Sequence, residues 1–108
     1  MTSVVSDEGS AAEVKPQAFS LQQNWPNPFN ACTVIPYVLP SQAAVRLAVY
    51  DLVGRQVATL IQETQQVGTH LVVWRGTDSQ GNPVSSGVYV YRLRAGTLEQ
   101  ARTMTLLR

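Results

Sequence analysis

From Phe19 onward apolar residues recur at every second position in short runs, the pattern that turns one face of a strand to a core and the other to water. In "TVIPYVLP" Ile35, Tyr37 and Leu39 share a face opposite Val34, Pro36 and Val38. In "AVRLAVYD" Val45, Leu47 and Val49 share a face opposite Arg46, Ala48 and Tyr50. "DLVG", residues 51–54, predicts a tight turn into "RQVATLI", and "QETQQVG" reads as a polar connection closed by Gly68. "THLVVWRG" alternates again, with His70, Val72 and Trp74 against Leu71 and Val73. "TDSQGNP", residues 77–83, is dense in turn formers, and Gly81 can take positive φ without Cβ strain. "SSGVYVYRLRAG" sets Tyr89, Tyr91 and Leu93 on one face, and "LEQARTMTLLR" turns Met104 and Leu106 inward. Pro36 has no N–H for a ladder, so its strand is expected at a sheet edge or at a bulge.

About six or seven short strands punctuated by turns, with no helix-period segment, predict an all-β, immunoglobulin-like β-sandwich of antiparallel strands. The chain has 108 residues, room for one domain with one core. Residues 1–18, "MTSVVSDEGSAAEVKPQA", are mostly small, polar or charged and read as a linker or disordered tail before a domain at 19–108. The start carries neither a positive n-region nor an apolar h-region, and no window approaches the ~20 apolar residues of a membrane helix. An export signal, if the domain works outside the cytoplasm, is expected elsewhere in a longer parent or in the domain itself.

Composition narrows the chemistry. A net charge of +1, with arginines at 46, 55, 75, 92, 94, 102 and 108 spread along the sequence, gives no electrostatic case for nucleic acid, an anionic membrane or an acidic substrate. Cys32 is the one cysteine, so no internal disulfide forms and metal ligation through cysteines is excluded. His70, the one histidine, lies mid-strand beside Val72 and Trp74, where a partly buried structural imidazole is expected rather than a catalytic base. Neither a nucleophile elbow, nor a zinc-protease motif, nor a Gly-rich phosphate loop is present. The sequence therefore reads as non-catalytic, with no cofactor. Asp51 and Asp78 are placed to organise turns by accepting nearby backbone amides. Asp78 and Asn82 are the weak candidates for a surface cation. A carbohydrate-binding accessory module of an extracellular enzyme stays open as an alternative; Trp25 and Tyr50 are the aromatics that periodicity does not assign to the core.

The densest local pattern is "QNWPNPFN", Gln23–Asn30. Residues before Pro26 and Pro28 are pushed toward extended conformations, and Asn24, Asn27 and Asn30 can satisfy backbone groups without a regular element. Trp25 and Phe29 supply rings that dock on a sandwich. This is a rigid lead-in that fixes how a linker joins the domain.

The stretch "FSLQQNWPNPFNACTVIPYVLP" resembles the opening of C-terminal sorting domains of the type IX (Por) secretion system. The resemblance continues through "VRLAVYDLVGRQVATL", "GTHLVVWRGTDSQGNPVSSGVYVYRL" and "MTLLR", over residues 19–108 and in the family's order. Immunoglobulin-like domains of flagellar hook-capping proteins are similar at greater distance. Trp25 departs from the family's usual Tyr, Ala31 from its Pro, and Cys32 from a small polar residue. The resemblance implies a module that directs a larger secreted protein of Bacteroidetes-like bacteria through the outer membrane. The protein would end secreted or attached at the cell surface. The implied partner is the outer-membrane secretion and attachment machinery, and the ending "TLLR" is expected to be the parent's C-terminus. Residues expected to carry recognition are Asn24, Pro26, Asn27, Pro28, Phe29 and Asn30 in the lead-in. Gly87, Tyr89 and Tyr91 are added, with Met104, Leu106, Leu107 and Arg108 at the end. The expected mode is an accessible last strand added to a receptor sheet.

Overall fold

The computed structural model describes residues 18–108, so the expected linker lies outside the described residues except for Ala18. The described residues form seven strands: β1 (Ser20–Leu21), β2 (Thr33–Leu39), β3 (Ala43–Tyr50), β4 (Gln56–Gln65), β5 (Gly68–Trp74), β6 (Gly87–Ala95) and β7 (Leu98–Leu106). They build a three-stranded sheet, β1-β2-β5, and a four-stranded sheet, β4-β3-β6-β7, with antiparallel neighbours throughout. This is the immunoglobulin-like sandwich that the alternation predicts.

The period-two faces meet between the sheets. Leu21, Ile35, Tyr37, Leu39 and Trp74 come from one sheet; Val45, Leu47, Val49, Tyr91, Leu93, Met104 and Leu106 come from the other. Trp74 is the centre of an aromatic cluster, with its ring centroid 5.7 Å from Phe29 and 5.5 Å from Tyr89. Its indole N–H donates to the Thr77 carbonyl at 2.9 Å, so burial leaves no polar atom unpaired there. The Tyr89 hydroxyl donates to Ser85 O at 2.6 Å, four residues upstream, in the manner of the tyrosine corner of immunoglobulin sandwiches. His70 stacks on Tyr37 at 5.3 Å with Nε2 2.8 Å from Gln66 O, the partly buried structural role expected of it.

Two expectations are corrected. The polar run after Ile61 is not a connection: β4 continues to Gln65, paired as far as Ala43↔Gln65. It is the outermost strand of its sheet, so a polar sequence suits its exposed positions. Pro36 is neither at an edge nor at a bulge, since β2 lies between β1 and β5 in continuous register with β5. The missing N–H falls where β1 has ended, opposite Gln22, whose own N–H donates to Pro36 O at 3.0 Å.

Asp51 and Asp78 build the same turn twice. Asp51 Oδ1 accepts from Val53 N and Arg55 N at 3.0 and 2.9 Å, and Asp78 Oδ1 accepts from Gln80 N and Asn82 N at 2.9 Å each. The glycine fourth in each turn, Gly54 or Gly81, has φ of 96° or 86° and donates to the aspartate's carbonyl at 3.0 Å. These donors hold both carboxyls below the usual carboxylate range.

Candidate functional site

The lead-in and the end of the chain, remote in sequence, form one structure. Trp25 pairs with Val34 of β2 through two backbone hydrogen bonds of 2.9 and 2.8 Å. Four residues later Phe29 N donates to Thr105 O at 3.0 Å, and Leu107 N donates to Phe29 O at 2.8 Å, a parallel bridge centred on Leu106. The segment thus leaves one sheet and joins the outer edge of the other. Between the two bridges it bends, with cis peptide bonds at Trp25–Pro26 and Asn27–Pro28.

Side chains complete the seam. Asn27 Oδ1 accepts from Thr105 N at 2.9 Å, and Gln23 Nε2 donates to Thr103 O at 2.9 Å. Asn24 is buried, and its Nδ2 donates to Thr33 Oγ1 at 2.9 Å and to Pro26 O at 3.2 Å. Thr33 Oγ1 donates to the same carbonyl at 2.8 Å, so an asparagine and a threonine satisfy backbone that no ladder reaches. Asn30 is exposed and Cys32 is half-buried. Phe29 drives its ring into the aromatic cluster, whereas Trp25 is 75% exposed. Pro26, Pro28, Phe29, Asn30 and Leu107 line an open groove along the seam.

The remaining expected residues divide by burial. Tyr89, Tyr91, Met104 and Leu106 are in the core, out of reach of any partner of the folded domain. The Tyr91 hydroxyl donates to Gln22 O at 2.7 Å and accepts from Asn24 N at 2.9 Å. Burial pushes it above its ordinary pKa, against the Asn24 amide and the Arg102 charge. Gly87 opens β6 opposite Leu106. Arg108 is bound down: its N–H donates to Ser86 Oγ at 2.9 Å, its Nε to Val84 O at 2.7 Å and its Nη2 to Gly76 O at 2.6 Å. Gly76 suits this place because its φ of 68° is one that side-chain-bearing residues rarely adopt. Leu107 stays 55% exposed.

The last strand is therefore not a free edge over Thr103–Leu107, as strand addition to a receptor requires; the lead-in already occupies it. The bridge linking Phe29 to residue 106 spans most of the domain, and nothing in local periodicity signals such a pairing. The weak cation candidates Asp78 and Asn82 do meet, but within one turn whose backbone amides engage Asp78 Oδ1. No group of three His, Cys, Asp or Glu that could hold a metal occurs among the described residues. Trp25 pairs with the three-stranded sheet and Tyr50 lies in the four-stranded one under Arg92, so the two rings do not make one sugar platform.

Strand order, seam and aromatic centre define an immunoglobulin-like β-sandwich module. Residues 30–99 match the model of the FlgD Ig-like domain, and the chain belongs to that family. No curated protein matches it. Among solved structures it is similar to dimeric latent PorU from Porphyromonas gingivalis, with 20% identity and a TM-score of 0.69, covering 96% of this chain and 10% of that one. It is also similar to PorZ, described as an essential bacterial surface component of the type-IX secretion system of Porphyromonas gingivalis. There the identity is 22% and the TM-score 0.55, over 80% of this chain and 11% of that one. At these identities the likeness is one of fold, and the chain spans a small part of either protein.

Proposed function

We propose that this domain is a non-catalytic C-terminal sorting module. It directs a larger secreted protein through the outer membrane by type IX secretion and to attachment on the cell exterior. The observation that carries the reading is the groove where Pro26, Pro28, Phe29 and Asn30 meet Leu107. The sequence resemblance, which runs over residues 19–108, includes both segments, and the fold joins them into one accessible feature. The fold likeness to PorU and PorZ supports the same setting.

The recognised object in this reading is the composite seam, not a loose strand. A receptor meets the Pro26–Asn30 rim and the exposed Leu107 together, while the core residues beneath hold them in place. Deleting Thr103–Arg108 is a poor test, because it removes Met104 and Leu106 from the core. Charge on the groove is better: Leu107→Glu and Asn30→Arg alter exposed positions and leave the sandwich intact.

The test is a fluorescent passenger with residues 19–108 at its C-terminus and a periplasmic signal at its N-terminus. It is expressed in a bacterium with an intact type IX translocon and in a translocon-null strain. Passenger on the surface or in the medium of the intact strain only, reduced by the groove variants, is the expected result. Passenger retained in the periplasm of both strains overturns the reading.

A further inference from the structure

Arginines that look scattered in the sequence converge on the outer face of the four-stranded sheet. Arg46 of β3 stands directly opposite Arg94 of β6, and Arg92 lies opposite Ala48, one step along the same face. Like charges directly opposite across strands repel. Two of the three guanidiniums share one carboxylate: Glu99 Oε2 is 3.0 Å from Arg92 Nε, and its Oε1 is 3.5 Å from Arg94 Nη2. Arg46 has no acidic partner among the described ion pairs; it donates to the Tyr50 hydroxyl at 2.9 Å and to Gln56 Oε1. Arg92 lies over the Tyr50 ring, 5.0 Å from its centroid. Glu63 lies at the rim of the depression beside Arg46 and Arg94, with Oε2 accepting from Gln65 Nε2 at 3.2 Å.

Next to the arginines runs a column of neutral hydrogen-bonding side chains. Gln62 is opposite Arg46, Thr59 opposite Ala48 and Gln56 opposite Tyr50, so all three share the arginine face. Gln62 and Gln56 are exposed and Thr59 is half-exposed.

We propose that this face binds an anionic polysaccharide. Arg46 and Arg94 take its carboxylates or sulfates, and the Gln56–Thr59–Gln62 column takes its hydroxyls. Guanidinium forks suit both anions, and bound oxyanions relieve the Arg46–Arg94 repulsion that the fold leaves standing. An acidic peptide would meet the arginines but give the hydroxyl-matching column little to do, which favours the sugar. The inference stands apart from the sorting reading and uses a different surface.

The test is affinity electrophoresis of the whole 108-residue chain through gels holding heparin, polygalacturonate, neutral dextran or polyglutamate. The expected result is retardation by heparin, by polygalacturonate or by both, lost at high salt, with none by dextran. The first two gels separate sulfate from carboxylate as the recognised group. Arg46→Gln and Arg94→Gln each weaken binding about tenfold, the scale of one charge-assisted contact. Arg94 is exposed and pairs with Glu99 alone among the described ion pairs, so Arg94→Gln guards against a folding artefact, and melting curves check both variants. Glu99→Gln frees two guanidiniums and strengthens binding, an outcome that loss of structure cannot mimic. Arg75→Gln, just past the end of β5 and outside the arginine face, changes the same net charge and leaves retardation unaltered. Absence of retardation by both acidic polysaccharides, an equal loss in Arg75→Gln, weaker binding in Glu99→Gln, or tighter binding to polyglutamate each overturns the proposal.

Discussion

The Tyr91 hydroxyl, carried by the four-stranded sheet, donates to the Gln22 carbonyl of the opposite sheet across 2.7 Å, where Pro36 has no N–H to give. The pair Gln22↔Pro36 would exchange two hydrogen bonds in an ordinary antiparallel ladder. One is made, from Gln22 N to Pro36 O. The other is supplied through the core by a side chain. The Tyr91 hydroxyl oxygen also accepts from Asn24 N at 2.9 Å, so one hydroxyl replaces ladder bonding where the chain turns into the lead-in.

Tyr91→Phe should keep the fold and cost about 1–3 kcal/mol, because it leaves a part-buried carbonyl and a buried amide without partners. Pro36→Val restores a backbone donor to Gln22 O, so the loss should be smaller in that background. A double-mutant cycle by urea denaturation checks this, and additivity within about 0.5 kcal/mol would refute the coupling.

The two rings of the lead-in should behave oppositely. Phe29→Ala empties a core position beside Trp74 and should cost about 3–5 kcal/mol. Trp25→Ala, at 75% exposure, should stay within about 0.5 kcal/mol. Thermal melts of the two variants decide, and equal losses would mean that the lead-in docks through Trp25 as well.

Alkali should unfold the domain through its buried phenols. Burial pushes Tyr37 up to about 12, with the Gln65 hydrogen bond opposing and the Glu63 charge adding to the rise. An unfolded tyrosine releases its proton near the ordinary value of about 10. Stability is therefore complete below that pH and declines as pH rises toward the folded value, where the unfolded state holds fewer protons. Denaturation midpoints across this range should fall for the native sequence and fall less steeply for Tyr37→Phe.

Acid acts on the paired turns. Asp51 and Asp78 are held below the usual carboxylate range by the backbone amides of their own turns. Their contribution is present above the unfolded carboxylate pKa and is lost as pH falls through the folded values. Asp51→Asn and Asp78→Asn keep an acceptor oxygen but do not titrate, so each should flatten the acid limb of a pH–melting profile. An unchanged profile would show that neither turn matters to acid stability.

The sandwich was legible because alternation is a local signal, and β2, β3, β5 and β6 carry it strongly. The Asp51 turn was legible for the same reason, since all its partners lie within four residues. β4 was cut short because an exposed edge strand carries polar residues that read as a loop. Pro36 misled because the edge-strand rule assumes a backbone partner, and the partner here is Tyr91 from the other sheet. The arginine face and the Phe29–Leu106 bridge depend on cross-strand register and on chain distance, neither of which a single sequence states.

The seam between Phe29 and residues 105–107 closes a loop from the first part of the domain to the last. Loss of residues 105–107 therefore takes away the partner of the lead-in as well as Leu106 beneath it. The finished fold thus checks its own assembly: only a chain carrying the lead-in and residues 105–107 together can form the groove, and one lacking either exposes its defect as an unclosed edge.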